Sequence, residues 1–336
     1  MDLLIVANIL KQERQQEILQ GVSFTQRKFQ KIAVAGESGA GKSSLLKIIA
    51  GLVQPDGGEV LFEGERVRGP FERLLPGQPG VAYLSQHFEL HNNYRMEELL
   101  SYKNRLSDAE ADELYDLCRI GHLLQRKNDQ VSGGERQRIA LAKLLTARPR
   151  LLLLDEPYSN LDLAHTNTLK SVIRDLGERW GITCLLVSHD PPDILSWADE
   201  ILIMKDGSIV QHGAPEQIYR QPVSEYAAGL FGKYNLLSLA GAKAFAELGD
   251  GDPVPDGKRM LVRPESFKIA APEDGRALAG TVGRLGYFGS YSEMEVLLPY
   301  DRIVVRVPAG DVTTARRLAP GEKVNILLDP GAAWHV

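Results

Sequence analysis

The stretch Gly36–Ser43, GESGAGKS, limits what this chain can fold into more than any other. It fits GxxxxGK followed by a hydroxyl residue. In that spacing glycines turn backbone N–H groups toward phosphate oxygens, Lys42 reaches the β and γ oxygens, and Ser43 offers a hydroxyl to a magnesium ion. Gly36, Glu37, Ser38, Gly39, Ala40, Gly41, Lys42, Ser43 and Ser44 are therefore the candidate nucleotide-binding positions. The flanks agree: KIAVA (31–35) is an apolar run of strand type, and SLLKIIA (44–50) has helical apolar spacing that stops at Gly51. A strand feeding a helix N-terminus is an anion site, because unpaired N–H groups and the helix dipole both point at the ligand. A chance glycine-rich turn before Lys-Ser would not bring the correct strand and helix with it.

Composition narrows the classes. A length of 336 residues with 43% hydrophobic content suggests two domains with ordinary cores. No run approaches the roughly 18 apolar residues of a membrane span, and MDLLIVANILKQERQQ lacks a basic region and a small-residue cleavage site, so a cytoplasmic location is expected. Cys118 and Cys184 form no metal or disulfide pattern and read as small buried apolar residues. A net charge of −5 gives no basic field for nucleic acid, so the phosphate site points to a nucleotide and not to a polyanion.

Along the chain, Leu3–Leu10, Val22–Phe24 and Glu59–Phe62 read as strands around the phosphate loop. From Arg95 to Arg126 apolar residues recur at helical spacing, broken at Ser107-Asp108, which predicts a helical subdomain over about 90–148. Strand, helix and strand then follow (LLLLDEP, Asp162–Trp180, Ile182–Val187), the pattern of a parallel α/β core. Asp206-Gly207 marks a hairpin. GDGDPVPDGK (249–258) sits in a predicted linker over 233–258, and short β-branched segments separated by turns predict an all-β domain over 259–336.

LLLLDEP supplies the second chemical element: a buried strand ending in paired carboxylates. Asp155 suits a magnesium ion held through water, and Glu156 suits a general base for the attacking water. The third is VSGGERQRIALAKLL. Ser132 and Glu135 form a capping box on an apolar helix face, which by itself explains a capped core helix. The same Ser132 with the Gly133 and Gly134 amides makes a second anion site.

Taken in order, Gly36–Ser43, Gln86, Ser132-Gly133-Gly134-Glu135, Asp155-Glu156, Asp162 and His189 resemble the ATPase subunit of ABC transporters over residues 1–232. The resemblance implies a P-loop α/β ATPase domain with an antiparallel β subdomain and a helical subdomain, acting on ATP with Mg²⁺. It implies that Gln86 touches metal and water and senses a membrane partner, that Ser159–Asp162 contact a second subunit, and that His189 contacts the γ-phosphate. Ser132 would serve the phosphate loop of a second copy, giving a head-to-tail homodimer with two composite sites. Lys42, Gln86, Glu156 and His189 would be catalytic, and Ser43, Gln86 and Asp155 would hold the metal. Two departures stand out. No aromatic residue lies in LKQERQQ (10–16) to stack on adenine, so Arg14 is the expected substitute. Glu135 stands where Gln is common, which a phosphate tolerates only if the carboxylate turns away.

VRPES (262–266), GTVGRLGYFGSYSEMEVLL and NILLDP resemble the transport-associated OB-like (TOBE) domain of binding-protein-dependent importers. The chain is therefore expected to energise an importer of sugar, polyamine, ferric iron or sulfate, from the inner face of the membrane. Permease subunits would be its direct partners and a solute-binding protein an indirect one. Two other readings are a soluble ATPase of this family acting as a mechanical switch and an exporter ATPase. The first usually brings paired ATPase halves or nucleic-acid-facing insertions, and the second seldom carries such a tail.

Overall fold

The structure is a computed structural model that describes residues 2–86, 90, 94–159, 161–248, 255, 257–271, 274–311, 318–329 and 331–336. Asn160 of the Ser159–Asp162 turn and most of GDGDPVPDGK lie outside the described residues. The chain divides into two compact units, residues 1–215 and 216–336.

The first unit opens with β1 (Asp2–Glu13), β2 (Gln16–Arg27), β3 (Lys31–Ala35) and helix α1 (Lys42–Ile49). Strands β4 (Gly57–Phe62), β5 (Glu65–Arg66) and β6 (Val81–Leu84) follow. Strands β1, β2, β4 and β5 form an antiparallel sheet in the order β2-β1-β4-β5. Then come α2 (Met96–Ser101), α3 (Asp108–Leu117) and α4 (Gly133–Leu145), with capping boxes at Ser107/Glu110 and Ser132/Glu135. The unit closes with β7 (Leu151–Asp155), α5 (Leu163–Arg179), β8 (Thr183–Val187), α6 (Pro191–Leu195), β9 (Glu200–Lys205) and β10 (Ser208–Gly213). Its second sheet runs β10-β9-β3-β8-β7-β6, parallel except for the β9–β10 hairpin. That hairpin turns at Asp206-Gly207, both with positive φ, as expected.

Strand β7 shows why an unbroken leucine run is a strand here. Leu152 and Leu154 join the core shared with α2–α5, whereas Leu151 and Leu153 join the opposite core with α1 and the antiparallel sheet. Period-two alternation therefore buries both faces, and all four leucines are fully inaccessible. Each contributes about 2 kcal/mol of apolar burial. The result is a rigid central strand whose tip carries Asp155. Cys118 and Cys184 are buried as read, and burial pushes both thiols up to about 12.

The second unit contains α7 (Pro215–Arg220), which starts at the unit boundary, α8 (Glu225–Leu230), β11 (Asn235–Leu237) and α9 (Leu239–Leu248). Strands β12 (Met260–Val262), β13 (Phe267–Ala270), β14 (Leu278–Tyr287), β15 (Tyr291–Leu297), β16 (Arg302–Pro308), β17 (Lys323–Leu328) and β18 (Ala333–His335) complete it. They form sheets β11-β12-β18 and β13-β17-β14-β15-β16. The stretch read as a linker is thus partly structured. Strand β11 pairs with β12, and Leu237, Ala242 and Phe245 enter this unit's core, because LSLAGAKAFAEL carries its own helical apolar spacing.

Candidate functional site

Four neighbouring parallel strands, β3, β8, β7 and β6, end on the same edge of the sheet, and their C-terminal tips carry the candidate residues. Such a crevice beyond the strand ends is where open α/β sheets hold ligands. The tip of β3 leads into the phosphate loop and α1. Gly41 caps α1 at φ 94°, and a Cβ there would lie 2.6 Å from the Ile18 carbonyl oxygen. Only glycine satisfies both the backbone and the space. The close approach also sets the β1–β2 hairpin beside the loop.

Lys42 is buried, and its Nζ donates to the carbonyls of Gly36 at 2.7 Å and Glu37 at 2.8 Å, bending back across the loop. Burial lowers its pKa, while Glu156, Asp155 and Glu37 oppose that shift by favouring the ammonium. The Ser43 hydroxyl donates to Asp155 Oδ1 at 2.9 Å, and the Tyr83 hydroxyl donates to Asp155 Oδ2 at 2.8 Å. Burial, with Asp155 beside it, pushes the Tyr83 phenol well up, so it stays a donor. A hydroxyl and a buried carboxylate within hydrogen-bond reach are hard oxygen ligands of the kind Mg²⁺ takes together with substrate phosphates, so the donor set fits that ion.

Glu156 follows at the β7 tip with φ 47°, held by its N–H to the Val187 carbonyl at 3.0 Å. A left-handed non-glycine backbone marks a conformation that the surrounding structure enforces. Its Oε2 meets Gln86 Nε2 at 3.4 Å, from the loop after β6, and His189 Nδ1 at 3.5 Å, from the loop after β8. The structure therefore brings together Lys42, Ser43, Gln86, Asp155, Glu156 and His189. Tyr83 joins them without having been singled out. Its signal is its place three residues before Gln86, on the strand that pairs with β7.

Ser132, Gly133, Gly134 and Asp162 form a second cluster at the N-terminus of α4. The Ser132 hydroxyl accepts from Glu135 N at 3.3 Å, and Glu135 Oε2 accepts from Ser132 N at 2.7 Å. That backbone bond foremost holds the Glu135 carboxyl below its usual range. Its carboxylate thus folds back onto the helix cap. Asp162 caps α5.

The ABC transporter family matches residues 19–159, and the TOBE domain family matches residues 260–336. The sulfate/thiosulfate import ATP-binding protein CysA of Synechocystis is 32% identical over 310 residues, covering 88% of this chain and 84% of that protein. The chain belongs to the ATPases of ABC transporters. Among other members, the Fe(3+) ions import ATP-binding protein FbpC 2 of Rhodococcus jostii is 33% identical, with 92% of each chain covered. The spermidine/putrescine import ATP-binding protein PotA of Ruegeria pomeroyi is 31% identical, covering 95% of this chain and 91% of its own. In fold, this ABC ATPase is similar to cbiO1 of Clostridium perfringens, part of the cbiONQ transporter complex, with a TM-score of 0.57 at 22% identity over 65% of this chain and 90% of that one. The α/β cassette and the all-β TOBE region stand as read from the motifs.

Proposed function

We propose that this ABC ATPase is the ATP-hydrolysing subunit of an importer for a small solute. The observation that carries the proposal is the convergence of the phosphate loop, Ser43–Asp155 and the Gln86–Glu156–His189 cluster at four adjacent strand tips. In this reading Lys42 and the loop amides hold the β- and γ-phosphates. Ser43, Asp155 and Gln86 hold Mg²⁺, which when bound neutralises charge on the β- and γ-oxygens. Glu156 takes a proton from the attacking water, and His189 orients on the γ-phosphate. Ser132, Gly133, Gly134 and Asp162 face the phosphate loop of a second copy, so two ATPs lie in a head-to-tail homodimer.

Importer coupling is supported by the names of the relatives above, whose match runs through both domains and includes sulfate, ferric iron and polyamine systems. A permease partner is supported by an open groove of about 890 Å³ lined by Leu52, Leu84, Tyr94, Leu99, Tyr102 and Leu144. An apolar concavity with exposed aromatics is a docking surface for another protein. No helix of the described residues is long and apolar enough to cross a membrane, which accords with a peripheral subunit at the inner face. A solute-binding protein would act on it only through the permease. Purifying the chain with its membrane subunits and presenting binding protein loaded with sulfate, ferric iron, polyamine or sugar tests this. One solute should stimulate ATP hydrolysis, and hydrolysis indifferent to the membrane subunits sinks the proposal.

At the adenine end, Arg14 and Gln15 form the two-residue tip of the β1–β2 hairpin, with φ 48° and 69°, and Arg14 is exposed. A guanidinium there can lie over a base. Arg14→Ala should weaken ATP binding about 5-fold, the scale of a cation–π contact, and Arg14→Tyr should not. Equal affinities for all three proteins would exclude Arg14 from the base contact.

A further inference from the structure

His165, in the first turn of α5, takes part in none of the roles above, yet it touches both halves of the Ser132 cluster. Its Nδ1 is 2.8 Å from Asp162 Oδ1, the same oxygen that accepts from His165 N at 2.8 Å. Its Nε2 is 3.5 Å from Ser132 Oγ. A Cβ built on Gly134 would fall 2.2 Å from the ring's Cδ2 and 2.5 Å from its Cγ. The imidazole therefore lies close against the first turn of α4, and the glycine there gives the ring its place.

We infer that His165 is a positioning residue that locks the Ser132 hydroxyl and the Asp162 turn into one unit for presentation to the second subunit. This rests on the composite-site reading. The ring is suited to the task because its two nitrogens point apart. A carboxylate can only accept, so Nδ1 carries a hydrogen toward Asp162, and Nε2 faces a hydroxyl that can give or take one. Aliphatic side chains of similar size fill the space and make neither contact. The unit is also tied to the water-activating end of its own subunit. Gln137 of α4 donates to the Pro157 carbonyl, and the Ser159 hydroxyl donates to the Glu156 carbonyl at 2.9 Å. Glu156 and the start of α4 are thus held by neighbouring bonds within one subunit.

The experiment uses the full chain carrying Glu156→Gln, with ATP-driven dimerisation read by analytical ultracentrifugation. His165→Leu should weaken dimerisation about 5- to 10-fold, the scale of one hydrogen bond at its upper range. His165→Gln keeps a polar head of comparable reach and should stay within about 2-fold of the parent. Combined with Ser132→Ala, His165→Leu should cost clearly less than in the parent, because the hydroxyl is gone and only the Asp162 contact is left to lose. The inference is overturned by an undiminished dimer, by equal losses for leucine and glutamine, by the same penalty in both serine backgrounds, or by loss of nucleotide binding to the monomer. A parent that fails to dimerise with ATP overturns the composite-site reading itself.

Discussion

Glu156→Gln lowers ATP turnover by about 10²- to 10⁴-fold, the contribution of a positioned general base, and ATP-loaded dimer accumulates. The amide keeps the shape of the carboxylate and can still face Gln86 and His189, so the site stays assembled while the proton acceptor is gone. Phosphate release at saturating ATP measures the first effect, and size-exclusion chromatography with ATP and Mg²⁺ measures the second. Full turnover in the variant would remove Glu156 from the role of base. The placement of the residue gives the expectation its weight. β7 is buried on both faces, Glu156 follows its tip at φ 47°, and the carboxylate lies between Gln86 of the β6 loop and His189 of the β8 loop.

Arg263→Ala lowers the stability of the second unit. Arg263 is only 4% exposed, and its guanidinium donates to the carbonyls of Tyr219, Ala228, Gly232 and Lys233 while stacking on the Tyr219 ring at 4.2 Å. It ties α7, the end of α8 and the approach to β11 onto the β-domain. Removing it leaves the guanidinium's buried space unfilled and takes a donor from the Ala228 carbonyl and from the partly buried carbonyls of Tyr219, Gly232 and Lys233, so a loss of about 2–3 kcal/mol is expected. Urea unfolding followed by the tryptophan signal checks it, since Trp334 sits in the same unit and donates to the Pro222 carbonyl. A change under about 1 kcal/mol would mean that water replaces the guanidinium at little cost. Arg263→Lys should recover only part of the loss, because one ammonium cannot span that set of acceptors.

Much of the candidate site is legible because each part is local. The phosphate loop, LLLLDEP and the Ser132–Glu135 box each declare themselves within a few residues, and the strand or helix needed to display them is written beside them. What escaped was what the sheet order brings together. Tyr83 and Asp155 lie 72 positions apart and meet only because β6 pairs with β7. His165 reads as one polar residue in a helix, and its contact with Ser132 depends on how α5 crosses the start of α4. Arg263 falls within VRPES, which carries a resemblance, but its carbonyl partners come from three earlier segments. The linker expectation rests on the glycines, aspartates and prolines of 249–258, whereas the amphipathic stretch just before them forms α9.

The Tyr83 hydroxyl leaves Asp155 with one oxygen committed to a phenol and the other beside Ser43. Of the residues proposed to hold the cation, Ser43 and Asp155 would supply hard oxygens, and the phenol would keep Asp155 Oδ2 in use. That arrangement suits a small ion with strict octahedral demands and few protein ligands, and it withholds the bidentate grip favoured by a larger one such as calcium. A phenol that never touches the metal would then contribute to the choice between magnesium and calcium.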